Sequence, residues 1–276
     1  MELFDSHMHT VNSLDGGQTV NELCECAIKK GLKGAAVTDH VDMWFYKSEN
    51  TYNRIKQCID QVKAASEKYE NRFKLLKGVE MAEYLYSPGE ADNIMELTDY
   101  DIILGSVHSV FYDDWTDSYS RLPFGAETTD MKKITGFMHE YFARMTEMVE
   151  NTDIDVMSHL TCPLRYINGK FKRGMDISVF NKEITYILSV IIEREIALEV
   201  NTSGINTAFN EFMPGYNIIK NYYDMGGRLI TIGSDAHISA NIGNGFYEAV
   251  KMLKDIGFKS YNYYEKRKPQ EVLFDV

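Results

Sequence analysis

Seven short apolar runs, each followed by a longer amphipathic one, constrain this chain more than any other feature. The runs are Leu3–Ser6, Gly34–Thr38, Lys74–Val79, Asp101–Gly105, Asp155–Ser158, Ala197–Val200 and Leu229–Gly233. They are rich in Val, Ile and Leu, as strands buried on both faces are. Helical periodicity lies between them, over Val20–Lys30, Tyr52–Tyr69, Ala91–Leu97, Lys132–Glu150, Val179–Glu195, Glu211–Met225 and Asn244–Ile256. Gly31, Gly226 and Gly257 stand just past three of these stretches, where glycine ends helices. Strand–helix units in series predict parallel strands joined by crossover helices. The expected class is α/β, one domain over residues 1–276, with the strands closed or nearly closed into a barrel. An open doubly wound sheet is the alternative. No G-x-G-x-x-G or P-loop follows a strand, so nucleotide-binding sheets lose support. Ser109–Asp130 is long, polar and aromatic, without helical period. It follows a strand end, where barrel enzymes keep loops that cover substrate. Lys266–Lys268 reads as a short solvated charged run.

The net charge of −12 argues against a nucleic acid polymer as partner, though bound metals can still attract a small anion. Cys24, Cys26, Cys58 and Cys162 form no C-x-x-C pair and read as reduced thiols of a cytoplasmic protein. Asp5, His7 and His9 interrupt any apolar start, so no signal peptide is expected. The longest apolar stretch, Ile187–Ile192, is far too short for a membrane span. Oligomeric state is left open.

The histidines carry the chemistry. Six of the seven stand at or just past the end of a strand candidate: His7, His9, His40, His108, His159 and His237. Glu80 closes the third strand and Asp235 follows the seventh. In a parallel barrel all C-terminal strand ends open on one face, so residues remote in sequence meet there. In His7-Met8-His9 and Asp235-Ala236-His237, residues two apart in extended chain point the same way. Imidazole with carboxylate suits Zn, Mn or Fe better than Ca or Mg. His139, in mid-helix, reads as an ordinary surface or core residue. Clustered divalent ions would outweigh the few acids and favour a metal-activated water and an anionic substrate. On residues alone this supports metal-assisted hydrolysis more firmly than phosphate chemistry.

His7-Met8-His9-Thr10, Asp39-His40, Glu80, His108, His159 and Asp235-Ala236-His237 together resemble, across nearly the whole chain, the polymerase and histidinol phosphatase superfamily. The resemblance implies a distorted (β/α)7 barrel with two or three divalent ions at the C-terminal strand ends. The ligands it implies are His7, His9, Asp15, His40, Glu80, His108, His159, Asp235 and His237. Without it, Asp15-Gly16-Gly17 would be a turn and nothing more. Glu80 would bridge two ions, with His7, His9 and Asp235 on one side and His108 and His159 on the other. Asp15, His40 and His237 would take the third. Chain length, Gly105-Ser106-Val107-His108 and Glu199-Val200-Asn201-Thr202-Ser203-Gly204 look most like histidinol-phosphate phosphatases. That implies hydrolysis of L-histidinol phosphate by a metal-bridging hydroxide attacking phosphorus. Glu80 and Asp235 would be the catalytic carboxylates, with Asp235 or a water protonating the leaving group.

Arg165, on the loop after His159, is the candidate phosphate clamp, because a guanidinium fork matches phosphate oxygens. Asn201 and Ser203 are candidates for the same mouth. Two departures bear on the substrate. Close phosphatase relatives carry an Arg soon after Asn-Thr-Ser-Gly, where Ile205-Asn206-Thr207 stands here. The stretch after His108 is also unusual, and its Asp113 and Asp114 read as solvated loop acids, with contact to an amine-bearing substrate as the alternative. A phosphatase or phosphodiesterase for another small phosphoester, such as a nucleotide, is the second reading, and a non-catalytic metal-binding module the third.

Overall fold

The computed structural model describes residues 2–274. Its strands are β1 (Phe4–Asp5), β2 (Gly34–Val37), β3 (His40–Asp42), β4 (Lys74–Ala82), β5 (Ile102–Ser106), β6 (Val156–Met157), β7 (Ala197–Asn201), β8 (Ile230–Gly233), β9 (Ser260–Glu265) and β10 (Lys268–Leu273). The helices are α1 (Val20–Lys29), α2 (Thr51–Tyr69), α3 (Pro88–Met95), α4 (Met131–Asn151), α5 (Asn181–Glu193), α6 (Tyr216–Asp224) and α7 (Phe246–Ile256). The parallel sheet runs β1-β2-β4-β5-β6-β7-β8. Both β2 and β3 pair with β4, at Lys74–Lys77 and Glu80–Ala82 respectively, so they fill one interrupted barrel position. Closure comes at the seam between β1 and β8. There Ser6 N–H donates to Ile232 O at 3.0 Å and Asp235 N–H to His7 O at 2.8 Å. The open doubly wound sheet is thereby replaced by a distorted barrel of seven strand positions.

Strand alternation explains where the site sits. Leu76, Ile102, Leu104, Val156 and Ala197 form a small core inside the barrel. Two residues further along the same inward faces come Ser106, Ser158 and Glu199, and four beyond Leu76 comes Glu80. The interior thus changes from apolar to polar toward the C-terminal strand ends. The larger core lies outside, where Ala35, Leu75, Ile103 and Leu198 meet the helices. Among the described residues no helix is long and apolar enough to cross a membrane.

Several expected boundaries move. The helix expected over Glu211–Met225 begins only at Tyr216, past Pro214 and Gly215; a proline lacks the N–H a helix interior needs. The strand expected over Lys74–Val79 continues to Ala82. The charged run at 266–268 keeps Lys266 and Lys268 exposed, as expected, but it is a hairpin turn: Lys266 and Arg267 both have positive φ between β9 and β10. Its two residues lack the Asn-Gly or Asp-Gly signature that announces such a turn. The hairpin seals the closed end of the barrel. Tyr264 joins the inner core, and the Tyr263 ring stacks on Phe4 at 4.0 Å. Segment 109–130 is a packed wall: Trp115, Tyr119, Leu122 and Phe124 are buried in the outer core.

Arg267 anchors the hairpin to Asp155 at the start of β6, Nε to Oδ2 at 2.6 Å. Burial pushes the Asp155 carboxyl above its usual range, against the pull of Arg267. Arg267→Ala should therefore cost about 2 kcal/mol at pH 7, since it leaves a buried charge without its partner. Without Arg267 the carboxyl pKa rises further, so the loss should shrink as pH falls and the carboxyl takes a proton. Urea unfolding of chelated protein at pH 7 and 4.5 checks both; an equal loss at the two pH values would contradict the account.

Candidate metal centre

Six strand ends, those of β1, the β2/β3 position, β4, β5, β6 and β8, deliver eight donor side chains to one point. Register places His40 directly beside Glu80 on neighbouring strands. Glu80 is fully buried and central. Its Oε1 lies 2.7 Å from His159 Nε2 and 3.3 Å from His108 Nε2. Its Oε2 lies 2.6 Å from His40 Nδ1, 3.5 Å from His7 Nε2 and 3.8 Å from His9 Nε2. Asp235 Oδ1 lies 3.3 Å from His9 Nε2 and 3.9 Å from His7 Nε2. Asp15 is the outlier, 62% exposed, but its Oδ2 reaches His237 Nε2 at 3.2 Å and its Oδ1 stands 3.7 Å from His40. Asp15 ends a turn that Gly16 N–H closes on Ser13 O at 3.1 Å, slightly before the expected Asp15-Gly16-Gly17, and Gly17 N–H pins the segment to His237 O at 2.8 Å. Donor atoms group as His7/Glu80/His159, His7/His9/Asp235, His40/Glu80/His108 and His9/His40/His237. His9 thus stands with His40 and His237 as well as with His7 and Asp235, a sharing the linear motifs do not reveal.

Buried donors without partners show that this set fits cations. His7 Nε2, His9 Nε2, His40 Nδ1 and Glu80 Oε2 are buried and, among the described residues, make no aligned hydrogen bond, although His40 Nδ1 and Glu80 Oε2 lie 2.6 Å apart. Buried polar atoms are normally paired. Two ring contacts point the same way. His108 Nε2 faces His159 Nε2 at 3.4 Å, and His40 Nε2 faces His237 Nε2 at 3.2 Å. The Nδ1–H of His108 is committed to Asp42 and that of His237 to the Asp235 carbonyl, so each Nε2 offers a lone pair. The titration pattern reflects the same crowding. Burial opposes charge on His7, yet Glu199, Glu80 and Asp235 push its pKa well up. Burial, His40 and His237 drive His9 down to about 3. Glu80 is held well below the usual carboxylate range, against its burial, by His108, His7 and His40. Imidazole and carboxylate donors in this density suit Zn, Mn or Fe.

Behind the donors stands a row of polar residues that orient them, as metal-binding histidines commonly require. Glu199, buried on β7, accepts His7 Nδ1–H on Oε1 at 2.7 Å and the His159 N–H on Oε2 at 2.7 Å. Gly233 makes room for it, since a Cβ there would lie 2.2 Å from Glu199 Oε1. Asp42 accepts His108 Nδ1–H at 2.7 Å. Ser13 donates to buried Asp39 at 2.6 Å and accepts from His9 Nδ1–H at 3.3 Å and the His40 N–H at 3.0 Å. His9 therefore turns Nε2 inward. His159 and Asp235 are held at positive φ, 24° and 52°, a conformation that persists only when its surroundings impose it. Sequence reading missed Glu199, Asp42, Asp39 and Ser13 as site residues. A charged residue inside an otherwise apolar strand was the available signal for Glu199.

A cavity of about 350 Å³ opens above the centre, lined by Phe45, Glu49, Arg121, Arg165 and Tyr166 as well as Asp15, His40, His108, His159, Asp235 and His237. Arg165 faces it with Nη1 on Ser203 Oγ at 2.7 Å and 3.8 Å from Asp235 Oδ2. Asn201 and Ser203 do not line the cavity. Asn201 is buried, bonding Glu199 and Asp235, and Ser203 donates to Asn201 Oδ1 at 2.7 Å. Their place is to fix Arg165 and Asp235 from behind. Asp113 and Asp114 also lie outside the cavity, 70% and 77% exposed and paired with Lys133 on α4, so they face no substrate there. His139 pairs with Glu183 at the surface, away from the centre.

Barrel and donor set together define a metal-binding barrel of hydrolase type. A family model for the PHP domain matches residues 5–203, and the chain belongs to that family. It is 29% identical over 262 residues to a Thermotoga maritima protein named "Probable histidinol-phosphatase", covering 93% of this chain and 94% of that one. A protein of the same name from Clostridium acetobutylicum is 29% identical over 270 residues, 96% and 98% of the two chains. A crystal structure of histidinol phosphate phosphatase from Lactococcus lactis, complexed with zinc, L-histidinol and phosphate, aligns with a TM-score of 0.74 at 20% identity. It covers 97% of this chain and 98% of that one, and shares the fold.

Glu199→Gln tests the orienting row. An amide offers one acceptor oxygen where His7 and His159 need two, so metal affinity should fall about 10–100-fold. Competition with a chromophoric chelator measures this; unchanged affinity would remove Glu199 from the centre.

Proposed function

We propose that this chain, as one phosphoesterase domain, is a metal-dependent phosphomonoesterase that hydrolyses L-histidinol phosphate to L-histidinol and phosphate. The observation that carries the reading is the buried, unpartnered donor set around Glu80 beneath a cavity that also presents Arg165. The relatives' names and coverage support the substrate.

His7, His9, Asp15, His40, Glu80, His108, His159, Asp235 and His237 would hold two or three divalent ions, Zn, Mn or Fe. Bound there, such ions supply Lewis-acid charge to phosphoryl oxygens and lower the pKa of water. The chain's own residues do the rest. Arg165 is a guanidinium held by Ser203 and aimed over the centre, placed to take phosphoryl oxygens and their developing charge. Asp235 is held ionised, against its burial, by His7, His9 and His237, which suits a ligand or proton acceptor better than a donor to the leaving group. Tyr119, Ser120 and Arg121 form the cavity wall beside Arg165. Free thiols at all four cysteines fit a reducing, cytoplasmic setting.

Phosphate release from histidinol phosphate, against a nucleotide panel, should be fastest for histidinol phosphate and should vanish on chelation and return with Zn or Mn. Nucleotides turned over as well or better would overturn the substrate. Glu80→Gln should lower turnover at least about a hundredfold, because the central carboxylate loses its charge among five histidines; near-wild-type turnover would refute its role.

A further inference from the structure

The cavity has a second pole that the metal centre and Arg165 do not use. Its wall is the segment joining β3 to α2, from which Asp42, Phe45 and Glu49 face inward. Glu49 is the notable member. Its side chain is 20% exposed, and only Oε2 has a cationic partner, Arg54 at 3.1 Å. Arg54 is shared, since it also donates to the Asn12 and Glu49 carbonyls and to Thr51 Oγ1. Oε1 meets no hydrogen-bond donor among the described residues. Asp42, committed to His108, adds negative charge beside it. Burial and Asp42 push the Glu49 carboxyl upward, a sign that this wall favours a further positive charge. Arg121 already answers that field, with its guanidinium 5.3 Å over the Phe45 ring. Yet Arg121 is 57% exposed and paired with Asp117, which leaves Glu49, a residue of the cavity lining, with Arg54 on Oε2 as its one ion pair among the described residues.

We propose that Glu49 determines specificity by binding a positively charged group, an ammonium or imidazolium, on the alcohol part of the phosphoester. The proposal rests on the phosphomonoesterase reading above. Phosphoryl recognition lies with the strand-end donors and Arg165, and Glu49 reads the other end of the molecule. A site built around a carboxylate rejects analogues that lack the matching charge, because its own charge is then left unanswered.

The test compares two small alkyl esters, one carrying that charge and one lacking it. kcat and KM are measured for phosphoethanolamine and ethyl phosphate, and for histidinol phosphate as the reference substrate, in wild type, Glu49→Gln and Glu49→Asp, with bound metal quantified in each. Wild type should prefer phosphoethanolamine to ethyl phosphate. Glu49→Gln should reduce that preference at least tenfold, mainly through KM of the cationic ester, with metal content unchanged. Glu49→Asp should restore part of it, which a merely structural role would not. Equal losses on cationic and neutral esters, or a preference that survives Glu49→Gln, would overturn the assignment. The histidinol phosphate reading fails separately, if wild type favours nucleotides while still discriminating phosphoethanolamine from ethyl phosphate.

Discussion

One buried carboxylate organises this molecule. Glu80 sits at the centre of the barrel mouth with five imidazoles within 3.8 Å of its oxygens. Among the described residues no lysine or arginine answers its charge. A carboxylate in that position is tolerable only if positive charge is supplied among the rings, whether as protons or as metal ions. Strand register, the polar upper half of the barrel interior and the orienting row of Glu199, Asp42 and Ser13 all serve to hold rings around it. Protons cannot satisfy every ring at once, as the opposite displacements of His7 and His9 show. Divalent ions can, because each accepts several lone pairs.

Most of the donor set was legible in the sequence, for a simple reason. A strand that ends on a known face gives its terminal residues a known destination. His7, His9, His40, His108, His159 and His237 all end or follow strands, and the barrel carries each to the same mouth. Asp15 was different. Its loop reads as a turn by residue type, and only the resemblance to a family marked it; the turn is real and brings the side chain to His237.

What escaped was the supporting structure. Asp42 looks like a loop acid until β3 places it beside His108, and Asp39 until it accepts from Ser13, which holds His9. Asn201 and Ser203 belong to the right neighbourhood, but their side chains turn back toward Glu199, Asp235 and Arg165. Sequence proximity to a site does not say which side of the wall a residue occupies. The β9–β10 hairpin escaped because its turn residues, Lys266 and Arg267, carry no conformational signature, and because its partners Phe4 and Asp155 are remote in the chain.

The seam between β1 and β8 gives the centre a further meaning. His7 and His9 come from the first strand, and Asp235 and His237 from the end of the last barrel strand. Bringing these ends together is the longest loop closure in the barrel, and it opposes folding through chain entropy. An ion held jointly by the two sides would be a removable cross-link across that seam, closing a longer loop than most disulfides do. Its binding would add to the closure that the backbone hydrogen bonds already make there.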